Sequence, residues 1–363
     1  MGLRFVHCTD LHISGKNPLY RKDDLNETIK EKIAWINNYA REIRANGILC
    51  TGDIFDKPDT SYGVLNKDIL SLFKDSPVIW YCIAGNHDMY GYNPDTLSRT
   101  PFQTLLECEA IQKVGIEKEE KESFLLSGKE QSIHEAVYQG YCLTITGMDC
   151  NALTDNREDK EYDYGGCLEP KKNGEFRIHM AHGFLANKDW GDKISHTKIS
   201  EIADKIDVDI VLCGHEHSGF GIVEKNGILF INPGSVSRVT SGVGDIGRIP
   251  QVAVIDIDVI DGKVVKDAHL VTIAVAKPAE EVIDYEKAQE IKQKKKALQA
   301  FTDKLSAENL VIEEDNLSVF DYIDVLKEKV YAESGISQAY MDEIAEEAKN
   351  AIREAHEKIG GEL

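Results

Sequence analysis

Six short apolar segments of this chain each end in a polar turn, and five of these turns contain glycine. The segments are 3–8, 47–50, 78–84, 141–146, 176–181 and 209–213. Segments of this length with such boundaries are typical of buried β-strands. Helical periodicity lies between several of them, most clearly in 26–45, where Ile29, Ile33, Ile36 and Ala40 share one face. The alternation predicts an α/β layered domain with much parallel sheet.

The pattern changes twice along the chain. From Ile222 onward it becomes strand-rich, and Asp-Gly turns between the strands predict a late β-meander that closes the domain. Beyond Pro278 the sequence becomes charged and helical, with helices expected over 285–305, 318–334 and 338–359. We therefore expect a catalytic domain over residues 1–276 and a helical C-terminal region over 277–363.

Composition restricts the partners and the compartment. The 363 residues carry 42 Lys and Arg against 63 Asp and Glu, a net charge of −21, of which the tail 277–363 carries −9. This argues against affinity that comes from covering phosphates with basic side chains. The eight cysteines form no CxxC pair, which favours buried free thiols in a reducing compartment over a zinc ribbon. With no apolar run near ~20 residues and no secretory pattern, we expect a cytoplasmic protein without membrane contact.

The residue types that bind metals follow the predicted strands. They are Asp10 and His12, Asp53, Asn86 with His87, His182, and finally His215 and His217. Ligands collect at the carboxyl ends of strands in open α/β sheets. A set of Asp, Asn and His without Cys suits Mn, Fe, Zn or Mg. Each motif alone is weak, but seven candidate ligands at five strand ends predict two divalent ions that share one carboxylate.

The ordered set DLH, GDIFD, GNHD, HG and GHEH resembles the calcineurin-like metallophosphoesterases over roughly residues 3–275. The resemblance implies a four-layer αββα sandwich with a two-metal centre, here followed by a C-terminal helical extension. It also implies that Asp10, His12 and His217 bind the first metal and that Asp53 bridges. Asn86, His182 and His215 would bind the second metal, and His87 would be catalytic without binding metal.

Within that superfamily the sequence looks closest to the SbcD-type DNA repair nucleases. The stretches GDIFDKPDTS and VIWYCIAGNHD carry this likeness, and Asp56 matches the bacterial branch. The likeness implies DNA as the substrate and an SbcC-like coiled-coil ATPase as a partner of the C-terminal helices. Among the metals that suit the ligand set, we expect Mn²⁺, with Fe, Zn or Mg as alternatives. The likeness also implies a homodimer through 64–73 and 102–111, although burial inside the monomer explains the apolar faces of these segments equally well.

The expected chemistry is attack on a phosphodiester by a metal-bridged hydroxide, because two close ions can clamp the attacking and leaving oxygens. His87 is the candidate that assists the leaving oxygen, and Asp56 is expected to orient His87, in the manner of a carboxylate–histidine pair. Two other functions stay open: a phosphodiesterase for nucleotides or small phosphodiesters, and a metal-stabilised scaffold or adaptor.

Four features of the sequence have two interpretations each. The apolar face of Phe320, Ile323, Leu326 and Val330 fits a helical core or a docking surface for the ATPase. The basic stretch 292–296 fits DNA contact or a solvated helix face. Tyr90 and Tyr92, directly after GNHD, fit base stacking or local packing. His7 and His179 lie within predicted strands and are expected to be packed in the core.

Overall fold

The computed structural model describes residues 2–65, 69–132, 137–239, 247–307, 319–334 and 336–359. The chain separates into two compact units, 1–282 and 283–363. The strands of the first unit are β1 (Leu3–Cys8), β2 (Gly47–Cys50), β3 (Trp80–Cys82), β4 (Gln112–Lys113), β5 (Glu122–Ser132), β6 (Val137–Met148), β7 (Glu175–Ala181), β8 (Leu185–Ala186), β9 (Thr197–Lys198), β10 (Ile210–Cys213), β11 (Gly221–Lys225), β12 (Ile228–Asn232), β13 (Gln251–Ile260) and β14 (Lys263–Thr272). Its helices are α1 (Leu25–Glu42), α2 (Tyr62–Val64), α3 (Leu70–Lys74), α4 (Pro101–Glu107), α5 (Ile199–Ile202) and α6 (Ala279–Val282).

Two six-stranded sheets form the first unit. Their strand orders are β14-β13-β1-β2-β3-β4 and β11-β12-β10-β7-β6-β5. Strands β1 to β4 run parallel to one another, as do β6, β7, β10 and β12. The carboxyl ends of the strands that carry the polar motifs therefore lie along one edge of each sheet.

Alternate residues of the strands enter different cores. Phe5 and Leu49 pack between the two sheets, where they meet Ile178 and Ile210 of the second sheet. The intervening residues, such as Val6, pack against α1 in a separate core. The second sheet has its own helical cover, which includes α5. One helical layer, two sheets and a second helical layer make four layers. This confirms the predicted αββα sandwich with a C-terminal helical part.

The first helix follows from local signals. Asp24 caps its N-terminus by accepting hydrogen bonds from the main-chain N–H groups of Asn26 and Glu27. Its predicted apolar face, from Ile29 to Ala40, is buried. The expected helices over 64–73 and 102–111 are shorter in the structure, as α2, α3 and α4. Residues 66–68 of the first lie outside the described residues.

The predicted late β-meander is wrong. The hairpin β11–β12 adds to β10 in the second sheet, whereas the hairpin β13–β14 adds to β1 in the first sheet. Leu3 pairs with Ile257 across the antiparallel β1–β13 contact. The turn residues specify each hairpin locally, but the sheet that a hairpin joins depends on pairing with distant strands.

The second unit contains α7 (Tyr285–Ala307), α8 (Val319–Ser334) and α9 (Gln338–Ile359); Ser318 and Gly335 lie outside the described residues. Ile323, Leu326 and Val330 are buried with residues of α7 and α9 in the core of this unit, so the structure favours the helical-core interpretation of that face. In the basic stretch, Lys294 pairs with Glu343 of α9, and Lys292, Lys295 and Lys296 are exposed.

The boundary between the two units lies after Val282, later than the expected position at 276–277. Helix α6 therefore belongs to the first unit, where the N–H of Lys22 donates to the carbonyl of Val282.

Among the residues that the structure describes, no helix has both the length and the apolar character needed to cross a membrane.

Candidate metal centre

The loops after β1, β2, β3, β7 and β10 converge at the edge of the two sheets. Main-chain hydrogen bonds join the first two loops, because Asp10 N–H donates to the carbonyl of Gly52 and His12 N–H to that of Asp53. His215 N–H from the loop after β10 lies 3.2 Å from Asp10 Oδ2. Residues far apart in the sequence are thus placed side by side.

Asp10, His12 and His217 form the first group of potential ligands. His12 Nε2 lies 3.1 Å from His217 Nε2. Asp10 Oδ1 lies 3.5 Å from His217 Nε2 and 3.8 Å from His12 Nε2. Asp10 and His12 are fully buried.

Asp53, Asn86, His182 and His215 form a second group around the Asn86 side-chain oxygen. That oxygen lies 3.1 Å from His182 Nε2 and 2.9 Å from His215 Nδ1. Asp53 Oδ2 lies 3.3 Å from His182 Nε2 and 3.7 Å from His12 Nε2. Asp53 is therefore the carboxylate that lies between the two groups.

The donor atoms fit two divalent ions. Metal–ligand bonds of about 2.0–2.2 Å place the ligand atoms of one ion roughly 3–3.5 Å apart, which matches most of these distances. His182 donates its Nδ1–H to the carbonyl of Thr51 at 2.6 Å, so Nε2 is the ring nitrogen that faces Asp53 and Asn86. Metal-binding histidines generally fix their tautomer by such a bond. All seven predicted ligands lie within this arrangement.

The pKa values of His12 and His215 fit ligands that bind as neutral imidazoles, whereas that of His182 is raised. Burial lowers the pKa of His12 to about 4. Burial, together with the charge of His182, lowers that of His215 to about 4. Burial also disfavours charge on His182, but Asp53 outweighs it and raises the pKa to about 10. In the metal-free protein His182 therefore carries a second proton, on Nε2, and a cation can replace that proton.

The two carboxylates stay ionised despite burial. Desolvation would raise the pKa of Asp10, but the hydrogen bond and charge of His217 hold it well below its usual range. The pKa of Asp53 is likewise low, because His182 and His12 outweigh the desolvation. The centre thus has two anionic ligands ready to receive cations.

The backbone of the ligand loops is strained. Asp10, His12, Asp53 and His215 have φ angles of 55°, 48°, 51° and 69°. Non-glycine residues seldom adopt this left-handed region. Such strain persists only where the surrounding structure enforces it, and it is concentrated at functional sites.

Two glycines of the motifs are required by close approach. A Cβ on Gly85 would lie 2.1 Å from Asp53 Oδ1, and one on Gly214 would lie 2.0 Å from Thr9 Oγ1. Any larger residue would displace the loop that carries the neighbouring ligand. This explains why glycine precedes Asn86 and His215.

His87 lies beside both ligand groups. Its main-chain N–H donates to Asp53 Oδ1 at 2.8 Å, and one ring nitrogen lies within 4.8 Å of ligand atoms of His12 and Asp53. Its Nδ1 lies 2.7 Å from the main-chain carbonyl of Asp56. A carbonyl only accepts, so Nδ1 carries the proton and Nε2 is available for chemistry.

The expected pairing of the Asp56 carboxylate with His87 needs correction. The Asp56 group that holds His87 is the main-chain carbonyl, and the Asp56 carboxylate lies 3.7 Å from His12 Nδ1. Burial raises the pKa of Asp56. The side chain of Asp56 thus lies behind a ligand histidine.

Asp88 supports the centre, and the sequence analysis did not single it out. Its buried carboxyl group accepts main-chain hydrogen bonds from Ile54, Phe55 and Gly85. Burial and the charge of Asp53 raise its pKa well above the usual value. Asp88 therefore ties the loop after β3 to the loop after β2. The signal was present, because Asp88 is the last residue of GNHD.

The histidines expected in the core are there. His7 is fully buried, and its Nδ1 donates to the carbonyl of Leu49. His179 is also buried and lies within hydrogen-bond distance of Thr146 Oγ1 and the carbonyl of Asp163. Burial lowers the pKa of His179 to about 4.

Two sheets between helical layers carry paired groups of His and Asp at their strand ends, an arrangement that fits a metal-dependent phosphoesterase. A sequence model of the calcineurin-like phosphoesterases matches residues 3–219, and the chain belongs to this family.

Solved structures with similarity to this chain include three phosphoesterases. The calcineurin-like phosphoesterase YfkN from Bacillus subtilis has 15% identity, covers 75% of this chain and 91% of its own, and gives a TM-score of 0.44. A putative 5′-nucleotidase from Staphylococcus aureus has 12% identity over 75% of this chain and 54% of its own, with a TM-score of 0.48. A dimetal phosphatase from Danio rerio has 11% identity, covers 75% of this chain and 99% of its own, and gives a TM-score of 0.42.

Proposed function

We propose that this chain is an SbcD-like DNA nuclease, a two-metal-dependent phosphodiesterase that hydrolyses DNA. The observation that carries the hydrolytic part is the position of Asp53 between two groups of ligands, 3.7 Å from His12 Nε2 and 3.3 Å from His182 Nε2. DNA as the substrate is supported by the GDIFDKPDTS and VIWYCIAGNHD stretches.

Asp10, His12 and His217 would hold one divalent ion, and Asn86, His182 and His215 the other, with Asp53 between them. We expect Mn²⁺, which suits mixed nitrogen and oxygen ligands. When bound, the ions activate water and neutralise charge on the phosphodiester. The chain itself contributes the neutral imidazoles and the amide, which add no negative charge, so the centre remains attractive to a phosphate.

His87 would transfer a proton to the leaving oxygen. The Asp56 carbonyl accepts from Nδ1 and thereby fixes the ring, so a proton delivered to the substrate would come from Nε2. The contact of the His87 N–H with Asp53 Oδ1 holds this ring at the centre. A positioned general acid of this kind accelerates such reactions by about 10²–10⁴-fold.

The net charge of −21 makes tight binding of long DNA by this chain alone unfavourable. An SbcC-like ATPase that binds the C-terminal helices would supply the basic surface. We expect DNA affinity to rise when an SbcC-like coiled-coil ATPase is added. Tight binding of long DNA by the isolated, metal-free chain would contradict this division of roles.

The test is a Mn²⁺-supplemented assay with linear double-stranded DNA, single-stranded DNA and bis-p-nitrophenyl phosphate. Cleavage of DNA and of the small ester is expected, and Asp53→Asn should abolish both. Cleavage of the small ester alone would refute the nuclease and favour a small-phosphodiester substrate. No cleavage of any substrate would favour the scaffold.

A further inference from the structure

A cavity of about 260 Å³ opens directly beside the second ligand group. His215 forms part of its wall, and Tyr92 and the segment around Cys150–Asn156 form other parts. The N–H of Cys150 donates to the carbonyl of Ala84, which fixes this segment next to the end of β3. A molecule in the cavity would therefore lie next to a phosphate bound at the centre.

The two sides of the cavity are held in strained conformations. Tyr92 has a φ of 56° and Asp155 a φ of 62°. The buried Asp155 carboxylate accepts hydrogen bonds from Tyr164 OH, Thr197 Oγ1 and Phe184 N–H, which enforces its conformation. A bulky residue such as Tyr92 at positive φ is unusual, and strain of this kind indicates a functional position.

The size and lining of the cavity indicate one flat heterocycle. Its volume is below the roughly 300 Å³ at which pockets for drug-sized ligands begin, a size that suits a single base. Tyr92 is 48% exposed, which leaves its ring accessible for stacking. Asn151, Asn156 and Ser195 also line the space, and amide and hydroxyl groups can hydrogen-bond to the edge of a base.

On the basis of the proposed function, we propose that this cavity receives the base of one unpaired nucleotide next to the scissile phosphate, with Tyr92 as the stacking platform. A base in a duplex is covered by its neighbours and must first leave the stack, at a cost of a few kcal/mol. The preferred substrate class is then single-stranded DNA or a frayed end.

Tyr90 provides a matched control two residues away. It is 38% exposed, similar to Tyr92. Its ring, however, lies under the guanidinium of Arg99, with Arg99 Cζ 5.0 Å from the ring centroid, and it does not line the cavity.

The experiment compares two chromogenic esters with the Mn²⁺-loaded protein: thymidine 5′-(p-nitrophenyl phosphate), which carries a base, and methyl p-nitrophenyl phosphate, which does not. We expect a higher kcat/KM for the nucleoside ester. Tyr92→Ala should reduce this preference by about 5- to 150-fold, the range for one base–aromatic stack. Tyr92→Phe and Tyr90→Ala should retain the preference.

No preference in the wild-type protein would overturn the proposal, as would equal effects of the Tyr90 and Tyr92 substitutions. Competition by thymidine 5′-monophosphate against methyl phosphate gives a second measurement that needs no variant, and equal inhibition would also contradict the proposal. Because neither ester is DNA, failure of the nuclease assignment appears separately, as an absence of oligonucleotide cleavage.

Discussion

Replacement of His87 by asparagine isolates the role of one ring nitrogen. The asparagine side-chain amide can occupy the place of Nδ1–H and still donate to the Asp56 carbonyl, which His87 now reaches at 2.7 Å. The hydrogen bond from the main-chain N–H of residue 87 to Asp53 Oδ1 is unaffected by this substitution. The variant therefore loses Nε2, while the ligand groups around Asp53 should remain in place.

The size of the effect should depend on the leaving group. A DNA phosphodiester releases an alkoxide, which needs a proton, and loss of the general acid should slow turnover by about 10²–10⁴-fold. This corresponds to about 3–5 kcal/mol of the activation free energy. A p-nitrophenolate leaves readily without a proton, so bis-p-nitrophenyl phosphate should be hydrolysed with a much smaller loss.

The assay measures kcat for an oligonucleotide and for bis-p-nitrophenyl phosphate at saturating Mn²⁺, with bound metal counted by elemental analysis. Two ions should remain bound in the variant. An equal loss on both substrates would refute the role of His87 in protonating the leaving group. Loss of one ion would show instead that His87 is a ligand.

Three further predictions concern buried charged side chains. Asp53→Asn removes the carboxylate that lies between the two groups, so metal titration should show the loss of at least one ion. The stabilisation by Mn²⁺, about 2.7 kcal/mol at 100 times the dissociation constant, should then decrease. Asp88→Ala leaves three main-chain N–H groups without their acceptor and should lower the free energy of unfolding by about 3 kcal/mol in urea titration. Asp88→Asn, which keeps an oxygen acceptor, should cost less, and equal losses would contradict this reasoning. Burial, with the nearby charges of Arg238 and Arg21, lowers the pKa of Lys32 to about 7. The unfolded chain keeps that proton up to about pH 10. Between about pH 7 and pH 10 the unfolded chain therefore binds more protons than the folded chain, and the free energy of unfolding should rise with pH over this range. Lys32→Met should remove that rise, and an unchanged pH dependence would show that Lys32 is not its source.

The strand-end motifs were predictable because their signals are local. Each apolar run and the turn after it are contiguous, so the positions of Asp10, Asp53 and His182 at strand ends follow from the sequence alone. Parallel strands then bring those ends to one edge. The four-layer fold followed from the resemblance, and the structure confirms it.

What depends on distant pairing could not be predicted. Nothing in the turn at Asp261-Gly262 distinguishes a hairpin that continues the second sheet from one that pairs with β1. Similarly, the apolar face of α8 has the same periodicity whether it packs against α7 and α9 or against a partner. In both cases the sequence shows that a surface must be covered, but not by what.

The direction in which a side chain points was also not predictable from the sequence. Asp56 lies three residues after Asp53, and spacing suggested that its carboxylate reaches His87. The acceptor is instead a main-chain carbonyl, which no residue type reveals. Asp155 gave no signal at all, because its role arises from Tyr164, Thr197 and Phe184, which meet it only in the folded chain.

The position of β1 between β2 and β13 affects how the protein is made. Strand β1 is synthesised well before β13, and it cannot complete its pairing until Ile257, the partner of Leu3, has been added to the chain. At about 5–20 residues per second, this takes roughly 13–51 s. Until then the first sheet lacks its β13–β14 side, and its edge is open to incorrect association. A translation product that ends before β13 would contain every candidate ligand and still lack two of the six strands of the sheet from which Asp10 and His12 extend.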